Sequence, residues 1–383
     1  MAAAPTGLGT AERLALIERN SAELLGRDEL RALLESGMQL QHYIGYEISG
    51  RAHLGTGLVS MAKIRDLMEA GVRCRVFLAD WHTWINDKLG GDRDTIRNIA
   101  TGYFAEAMRA SLRCVGGDPR ELEFVLATDL YEENPDYWAT VIEVSKNTTL
   151  ARMQRSISIL GREEGESVDF AKLIYPAMQA ADIFAQQVHI AHAGMDQRKA
   201  HVIARDVALQ IRTNVLRGPD GAAIKPTALH HPILLGLRRP PTWPVPPESA
   251  RDVYAAMKMS KSDPNSAVFI QDSPDEIRDK LRRAFCPPET VDFNPIMDWI
   301  EKIVFGIAGG PFRVDRSPQN GGPVTFETYD ETAAAYANAQ LHPMDAKSAL
   351  AEGLIEVLAP ARAHFEQPEY KAMLEELLRA ESS

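Results

Sequence analysis

The stretch Tyr43-Ile44-Gly45-Tyr46-Glu47-Ile48-Ser49-Gly50-Arg51-Ala52-His53-Leu54-Gly55-Thr56-Gly57 changes texture twice. Residues 43–47 read as a strand and Ser49-Gly50-Arg51 as a turn. A helical period then opens near Gly55, with Leu58, Met61, Ile64 and Leu67-Met68 on one face. A strand running straight into a helix leaves the helix N-terminus at the sheet edge, where its N–H groups can receive an anionic phosphate. Gly55 and Gly57 would let a ligand approach the backbone, and His53 can donate to phosphate oxygens. The segment contains neither the GxxxxGK[ST] loop nor the dinucleotide GxGxxG pattern. Taken alone, it also fits a plain strand-to-helix turn whose His53 merely caps the helix.

Working outward, 73–79 is a buried strand by its apolar run, 93–113 is helical, and 122–127 is a second such strand. Helical periods at 134–160 and 168–185 follow, then a short apolar segment at 188–193 and a helix opening near Met195. Strands alternating with helices at this spacing imply βαβ units and a parallel sheet, with ligands collecting outside the strand carboxyl ends. Upstream, 10–37 reads as two helices. Thr10 is the N-cap candidate of the first, with Leu14, Ile17 and Leu24-Leu25 on one face; Leu30, Leu33 and Leu34 mark the second, which stops at Gly37.

After about residue 230 the pattern breaks. The proline-rich 240–247 is expected to be an extended surface insertion. From Ser273-Pro274-Asp275-Glu276, a helix start with proline at its first position, the chain looks mostly helical, with periods at 294–306, 328–338 and 344–380. A boundary is placed near 272.

The 383 residues are 45% hydrophobic and 25% charged, with a net charge of −11. This is ordinary globular composition. The acidic balance argues against non-specific coating of nucleic acid, DNA included. It leaves room for a local basic face, because screening confines each charge to about 10 Å. No apolar run approaches the roughly 20 residues of a membrane span, and the first residues lack signal-peptide character. A soluble, cytoplasmic protein is expected. Cys74, Cys114 and Cys286 are scattered and odd in number, so no disulfide framework or metal site is predicted.

A second chemistry-bearing segment is Lys258-Met259-Ser260-Lys261-Ser262-Asp263-Pro264. Two lysines among small hydroxyl residues suit a loop closing over a polyphosphate, and they also suit an ordinary solvated loop. Between the two segments lie Tyr175-Pro176-Ala177-Met178-Gln179-Ala180-Ala181-Asp182 and Gly194-Met195-Asp196-Gln197-Arg198-Lys199. Tyr175, Gln179 and Asp182 fall at i, i+4 and i+7 and so share one helix face, as a pocket lining or as a satisfied core network.

In this order the segments resemble the HIGH and KMSKS motifs of class I aminoacyl-tRNA synthetases. KMSKS matches letter for letter; HIGH stands as His53-Leu54-Gly55-Thr56, without its final histidine. The intervening block, with its YPxMQxxD and GxDQRK patterns, closely resembles tyrosyl-tRNA synthetases of the archaeal and eukaryotic branch, and the likeness runs from about Glu12 to about Ala363. The resemblance implies a Rossmann-like catalytic domain at 41–272, an N-terminal helical segment at 1–40 packed on it, and a helical anticodon-binding domain at 273–383. It implies that Tyr43 and Asp182 bind the phenol hydroxyl of L-tyrosine, while Glu47, Tyr175, Gln179 and Gln197 hold its amino group. A site built to bond that hydroxyl rejects phenylalanine by about 10⁴–10⁵-fold. His53, Gly55, Thr56, Lys258, Met259, Ser260 and Lys261 would serve ATP, accompanied by Mg²⁺ with no metal-ligating residues assigned. Arg155, Arg198 and Lys199 would meet the acceptor stem of tRNA-Tyr, and Asp345, in His342-Pro343-Met344-Asp345, the anticodon. A homodimer is implied too, its interface placed in the helical stretch 93–160.

The chain departs from the family at Ile48, where proline is common, at His189, where an acidic residue is common, and at Asn320, where an aromatic often precedes Gly-Gly. Gln186, His189 and Ile48 bear on the strictness of tyrosine selection; His189 and His192 read as supporting or surface residues rather than catalytic ones. Two other readings compete. A paralogue that adenylates an aromatic amino acid without charging tRNA would have no use for Arg155, Arg198, Lys199 and Asp345. A non-catalytic RNA-binding module would have no use for KMSKS. The tryptophanyl sibling is disfavoured by the Tyr43/Asp182 pair.

Overall fold

The computed structural model describes residues 7–161, 169–259 and 263–381. Among the described residues, six strands form one sheet: β1 (Glu23–Leu25), β2 (Gln41–Tyr46), β3 (Arg73–Leu78), β4 (Glu123–Leu126), β5 (Ile190–Gly194) and β6 (Thr227–His231). Their spatial order is β1-β6-β5-β2-β3-β4. β2 to β6 run parallel, and β1 lies antiparallel on β6. Every residue of β6 and all but the last of β5 are buried, because helices cover both faces.

One layer contains Thr10–Glu18, Arg27–Glu35, Ser60–Glu69 and Ala105–Cys114, whose Leu14, Leu30, Ile64 and Met108 share a core with Ile44 and Val76. The other contains Tyr137–Lys146, Phe170–Ala185 and Arg198–Val207, which bring Val141, Met178 and Ile203 against Tyr43, Phe77 and Ala191. Successive residues of β2 therefore serve opposite cores. The chain leaves β2 toward β3 and β4 on one side, then returns to β5 and β6 on the other. Strand order reverses at the β2/β5 pair, the switch point where open α/β sheets bind ligands.

Several expectations change. Leu24 and Leu25 do not extend the first helix, which ends at Glu18; with Glu23 they form β1, Leu24 facing Leu229. Thr10 is the first helical residue rather than the cap. The cap is Gly9, whose N–H donates to the Glu12 carboxylate at 2.7 Å. β6 goes unmarked in the sequence because His230 and His231 interrupt its apolar character. Beyond 272, the helices Pro274–Arg283, Pro295–Trp299, Tyr329–Ala337, Pro343–Val357, Ala359–Phe365 and Pro368–Glu381 are joined by an antiparallel hairpin, β7 (Phe312–Val314) with β8 (Val324–Phe326). Ser273 caps the first of these helices as its sequence implies: its hydroxyl accepts from the Glu276 N–H, and its own N–H donates to the Glu276 carboxylate at 2.8 Å. The proline-rich insertion is irregular but not free of the body. Trp243 packs edge-on against Phe285, and Val245 rests on Leu235, Val253 and Met257. No described helix is long and apolar enough to cross a membrane.

Candidate active site

A cleft of about 1100 Å³ opens at the carboxyl ends of the strands around the β2/β5 switch. It is lined by Tyr43, Glu47, His53, Gly55, Thr56, Tyr175, Gln179, Asp182, Gln197, Lys258 and Met259. Ser260 and Lys261 lie outside the described residues.

The floor is built around Asp182, on the Phe170–Ala185 helix and 1% exposed. Its Oδ1 accepts hydrogen bonds from the phenols of Tyr131 and Tyr137, each at 2.9 Å. Its Oδ2, taken by neither phenol, lies 3.5 Å from His82 Nε2. Burial pushes the Asp182 carboxyl up to about 8, because the two phenols only partly offset desolvation and the buried Asp80 adds repulsion. Tyr43, 1% exposed on β2, lines the same pocket against Phe77. Burial and the nearby Asp182 hold its phenol protonated, well above the usual range. An acceptor beside a phenol at the base of an apolar slot is the arrangement that bonds a hydroxyl on an aromatic ring.

One turn and two turns back along the same helix stand Gln179 and Tyr175. Gln179 Nε2 donates to Gln197 Oε1 at 3.3 Å, while Gln179 Oε1 is buried without a partner among the described residues. The Tyr175 hydroxyl lies 3.5 Å from Glu47 Oε2, which also accepts from Asn86 Nδ2 at 2.8 Å. Gln197 is itself fixed, donating to the Ile159 carbonyl at 3.0 Å. This wall offers carbonyl, carboxylate and phenol oxygens to a cationic ammonium group. A buried orphan acceptor such as Gln179 Oε1 is costly unless a ligand completes it.

At the other end, the helix after β2 opens as a wide turn, Gly55–Val59, before Ser60–Glu69. His53 Nδ1 accepts from the N–H groups of Gly55 and Thr56 at 3.1 and 3.2 Å. The capping role thus holds for His53 in the very place where it lines the cleft. Gly55 faces the cleft, with Met259 Cε 3.1 Å from where a Cβ would stand. Gly57 serves another purpose than ligand approach: a Cβ there would meet Ser111 Oγ at 2.6 Å and Ile270 Cγ2 at 2.8 Å. It lets two helices close on each other. Lys258 lies 3.7 Å from Asp196 Oδ2 across the cleft. Among the described residues, no group of three or more His, Cys, Asp or Glu side chains is placed to hold a metal.

The family model for tRNA synthetases class I (W and Y) matches residues 35–359. The chain belongs to that family. A tyrosine–tRNA ligase of Thermococcus sibiricus is 55% identical over 358 residues, which is 93% of this chain and 95% of that protein. The fold is similar to the crystal structure of tyrosyl-tRNA synthetase complexed with L-tyrosine from Pyrococcus horikoshii, with a TM-score of 0.93 at 52% identity, covering 96% of this chain and all of that one. It is also similar to the enzyme from Aeropyrum pernix, with a TM-score of 0.80 at 41% identity, covering 97% and 99%.

The residues expected to meet RNA stand apart from the cleft lining of this class I synthetase fold. Arg155 is exposed, and Lys199 Nζ donates to its carbonyl at 2.6 Å and to Ser158 Oγ at 2.9 Å. Arg198 is tied to Glu23 through two contacts at 2.8 and 3.0 Å. Asp345 is half-buried in the first turn of Pro343–Val357. His189 and His192 are not surface residues: His189 is 5% exposed and accepts the Gln41 N–H at 3.1 Å, and His192 is fully buried. Gln186 donates to the Asp182 carbonyl at 3.2 Å, steadying the end of the helix that carries the carboxylate. Sequence reading missed Tyr131, Tyr137 and His82 around Asp182, and also Arg51, Lys88, Asp196 and His231 in the lining. Tyr131 and Tyr137 lie 51 and 45 residues from Asp182 along the chain, and no local spacing signals that they converge on it.

Proposed function

We propose that the chain is a tyrosine–tRNA ligase in which Tyr43 and Asp182 bind the phenol hydroxyl of L-tyrosine and Glu47, Tyr175, Gln179 and Gln197 hold its ammonium group. The observation that carries this reading is the buried Asp182 carboxyl, fixed through Oδ1 by two phenols at the base of the cleft. With the amino acid anchored at both ends, its carboxylate points toward His53, Gly55, Thr56, Lys258 and Met259. There it attacks the α-phosphate of ATP, forming a carboxylate–phosphate bond as the bond to pyrophosphate breaks. A hydroxyl of the terminal adenosine of tRNA-Tyr then takes the acyl group and AMP leaves. No protein nucleophile is needed; positioning and the cations supply the catalysis. The lysines of 258–262 would neutralise the departing pyrophosphate. Mg²⁺ would arrive on the ATP phosphates, because the described residues build no carboxylate cage for it.

Residues 41–272 would form the catalytic domain with 1–40 packed on it, and 273–383 the anticodon-binding domain, with Asp345 as the anticodon contact. Arg155, Arg198 and Lys199 would grip the acceptor stem, Arg198 exchanging Glu23 for the RNA. The working state would be a cytoplasmic homodimer. ATP–pyrophosphate exchange with each of the twenty amino acids, followed by charging of tRNA-Tyr, tests the assignment. Exchange stimulated by tyrosine, together with charging, is expected. Exchange without charging would leave the adenylating paralogue, and no tyrosine-dependent exchange would end the proposal.

A further inference from the structure

A row of three histidines crosses the sheet and ends in this cleft, and the reaction above makes no use of it. His42 Nε2 lies 3.0 Å from His192 Nδ1, and His192 Nε2 lies 2.8 Å from His231 Nδ1. The register sets the row. Ile44, two residues beyond His42, pairs with His192; Gly194, two beyond His192, pairs with His231. Residues two apart share a sheet face, so each step across the strands climbs one repeat toward the carboxyl edge. His42 and His192 are fully buried, and His231, 9% exposed at the end of β6, lines the cleft.

Burial holds all three imidazoles neutral. It lowers His42 to about 3 and His231 to about 4, and takes His192 well below its usual value. The groups facing them reinforce this: Lys63 from the Ser60–Glu69 helix acts on His192 and His231, His201 on His192 and His230 on His231, with only Asp196 favouring charge at His231. Three neutral rings carry three N–H groups and share two internal hydrogen bonds. With both bonds made, all the protons point the same way along the row. In one sense every ring is protonated at Nε2 and His231 presents an N–H to the cleft. In the other, every ring is protonated at Nδ1 and His42 is left with a buried Nδ1–H. His42 Nδ1 has no hydrogen-bond partner among the described residues. A buried orphan N–H is rarer than an orphan acceptor, so the first sense prevails.

The cleft end of the row has a matching neighbour. A Cβ built on Gly194 would stand 2.7 Å from Asp196 Oδ1 and 3.4 Å from His231 Nε2. A carboxylate oxygen and an imidazole nitrogen thus flank one small space. A donor beside an acceptor brackets a hydroxyl, which accepts from one and donates to the other; a phosphate oxygen there would meet the repulsion of Asp196. We infer that the histidine row is a tautomer lock, with His42 and His192 as positioning residues, that fixes His231 as a neutral hydrogen-bond donor to a ribose hydroxyl of the nucleotide, an inference that rests on the ATP reading above.

Two measurements test it. Long-range ¹H–¹⁵N correlation on histidine-labelled protein reads each tautomer, and Nε2–H is expected at His42, His192 and His231 near neutral pH. Nδ1–H at any of the three, or an imidazolium at His192, overturns the lock. Tyrosine-dependent exchange is then run with ATP, 2′-deoxyATP and 3′-deoxyATP. In the wild type one deoxy analogue loses about tenfold in kcat/KM. His231→Ala loses about tenfold with ATP and no longer distinguishes that analogue. His192→Val, which cuts the row without touching ligand, raises KM for ATP and leaves KM for tyrosine unchanged; His192→Gln, whose amide can accept and donate in the same sense, restores it in part. A full deoxy penalty retained in His231→Ala overturns the ribose contact. Absence of any wild-type exchange removes the ATP reading and the ribose assignment with it, while the tautomers still report on the row by themselves.

Discussion

Asp182 combines a stability cost with the recognition role proposed for it. Its carboxyl, raised by burial from 3.8 to about 8, binds its proton more tightly in the folded protein than in the unfolded chain. The protonated form therefore favours folding below the unfolded value, and that contribution is lost as pH rises through about 8. Asp182→Asn removes the titration. The melting temperature of the wild type relative to this variant is expected to fall between about pH 5 and pH 9, as thermal melts at both values would show. On activity, Asp182→Ala is expected to lower kcat/KM for tyrosine by about 10²-fold, because it leaves the buried phenols and the substrate hydroxyl without their partner. Tyr131→Phe and Tyr137→Phe each remove one donor to Oδ1 and should cost about five- to tenfold. Wild-type rates in either phenylalanine variant would mean that the phenols are not what holds the carboxylate.

The wide helical turn after β2 serves two surfaces at once. Gly55 and His53 face the cleft, while Gly57 faces Ser111 and Ile270 at distances no Cβ tolerates. Gly57→Ala must displace the Ser111 hydroxyl and the Ile270 methyl, and a loss of about 1–3 kcal/mol in denaturant unfolding is expected. At the Pro274–Arg283 helix the Ser273–Glu276 capping box predicts a milder cost, about 1 kcal/mol for Ser273→Ala. An unfolding midpoint unmoved by Gly57→Ala would show that the two helices are less tightly coupled than their geometry requires.

Over the whole molecule, the net charge of −11 leaves RNA binding to local cations. Removing Arg155 and Lys199 together is expected to raise KM for tRNA in charging far more than it alters tyrosine-dependent exchange, and the wild-type KM for tRNA should rise with salt as phosphate contacts are screened. An apolar surface also remains open to solvent. Trp81 packs edge-on against both Trp84 and Trp138, and Trp84, Trp138 and Ile142 remain 40%, 44% and 57% exposed. Trp138 and Ile142 stand one turn apart on Tyr137–Lys146, within the stretch where a dimer interface is proposed. If the proposed homodimer uses this surface, the wild type is expected to sediment as a dimer and Trp138→Glu/Ile142→Glu as a monomer; an unchanged dimer would move the interface elsewhere.

The sequence by itself determined the alternation of strand and helix from Tyr43 to Val207, because apolar periodicity and glycine turns are local signals. It also carried the motifs at 53–56, 175–182 and 258–262, contiguous letters whose residue types are the basis of the nucleotide- and amino-acid-binding roles proposed for them. It read β1 as helix and was silent on β6 and the β7–β8 hairpin: short strands are stabilised by their neighbours, and His230 and His231 look polar until β5 and β1 flank them. Only the tertiary structure decided that Tyr131 and Tyr137 converge on Asp182, that Gly57 packs helices rather than admits ligand, and that His42, His192 and His231 form one row. Each of those facts depends on strand register and helix contact across long stretches of chain, where side chains far apart in sequence are forced to share one desolvated space.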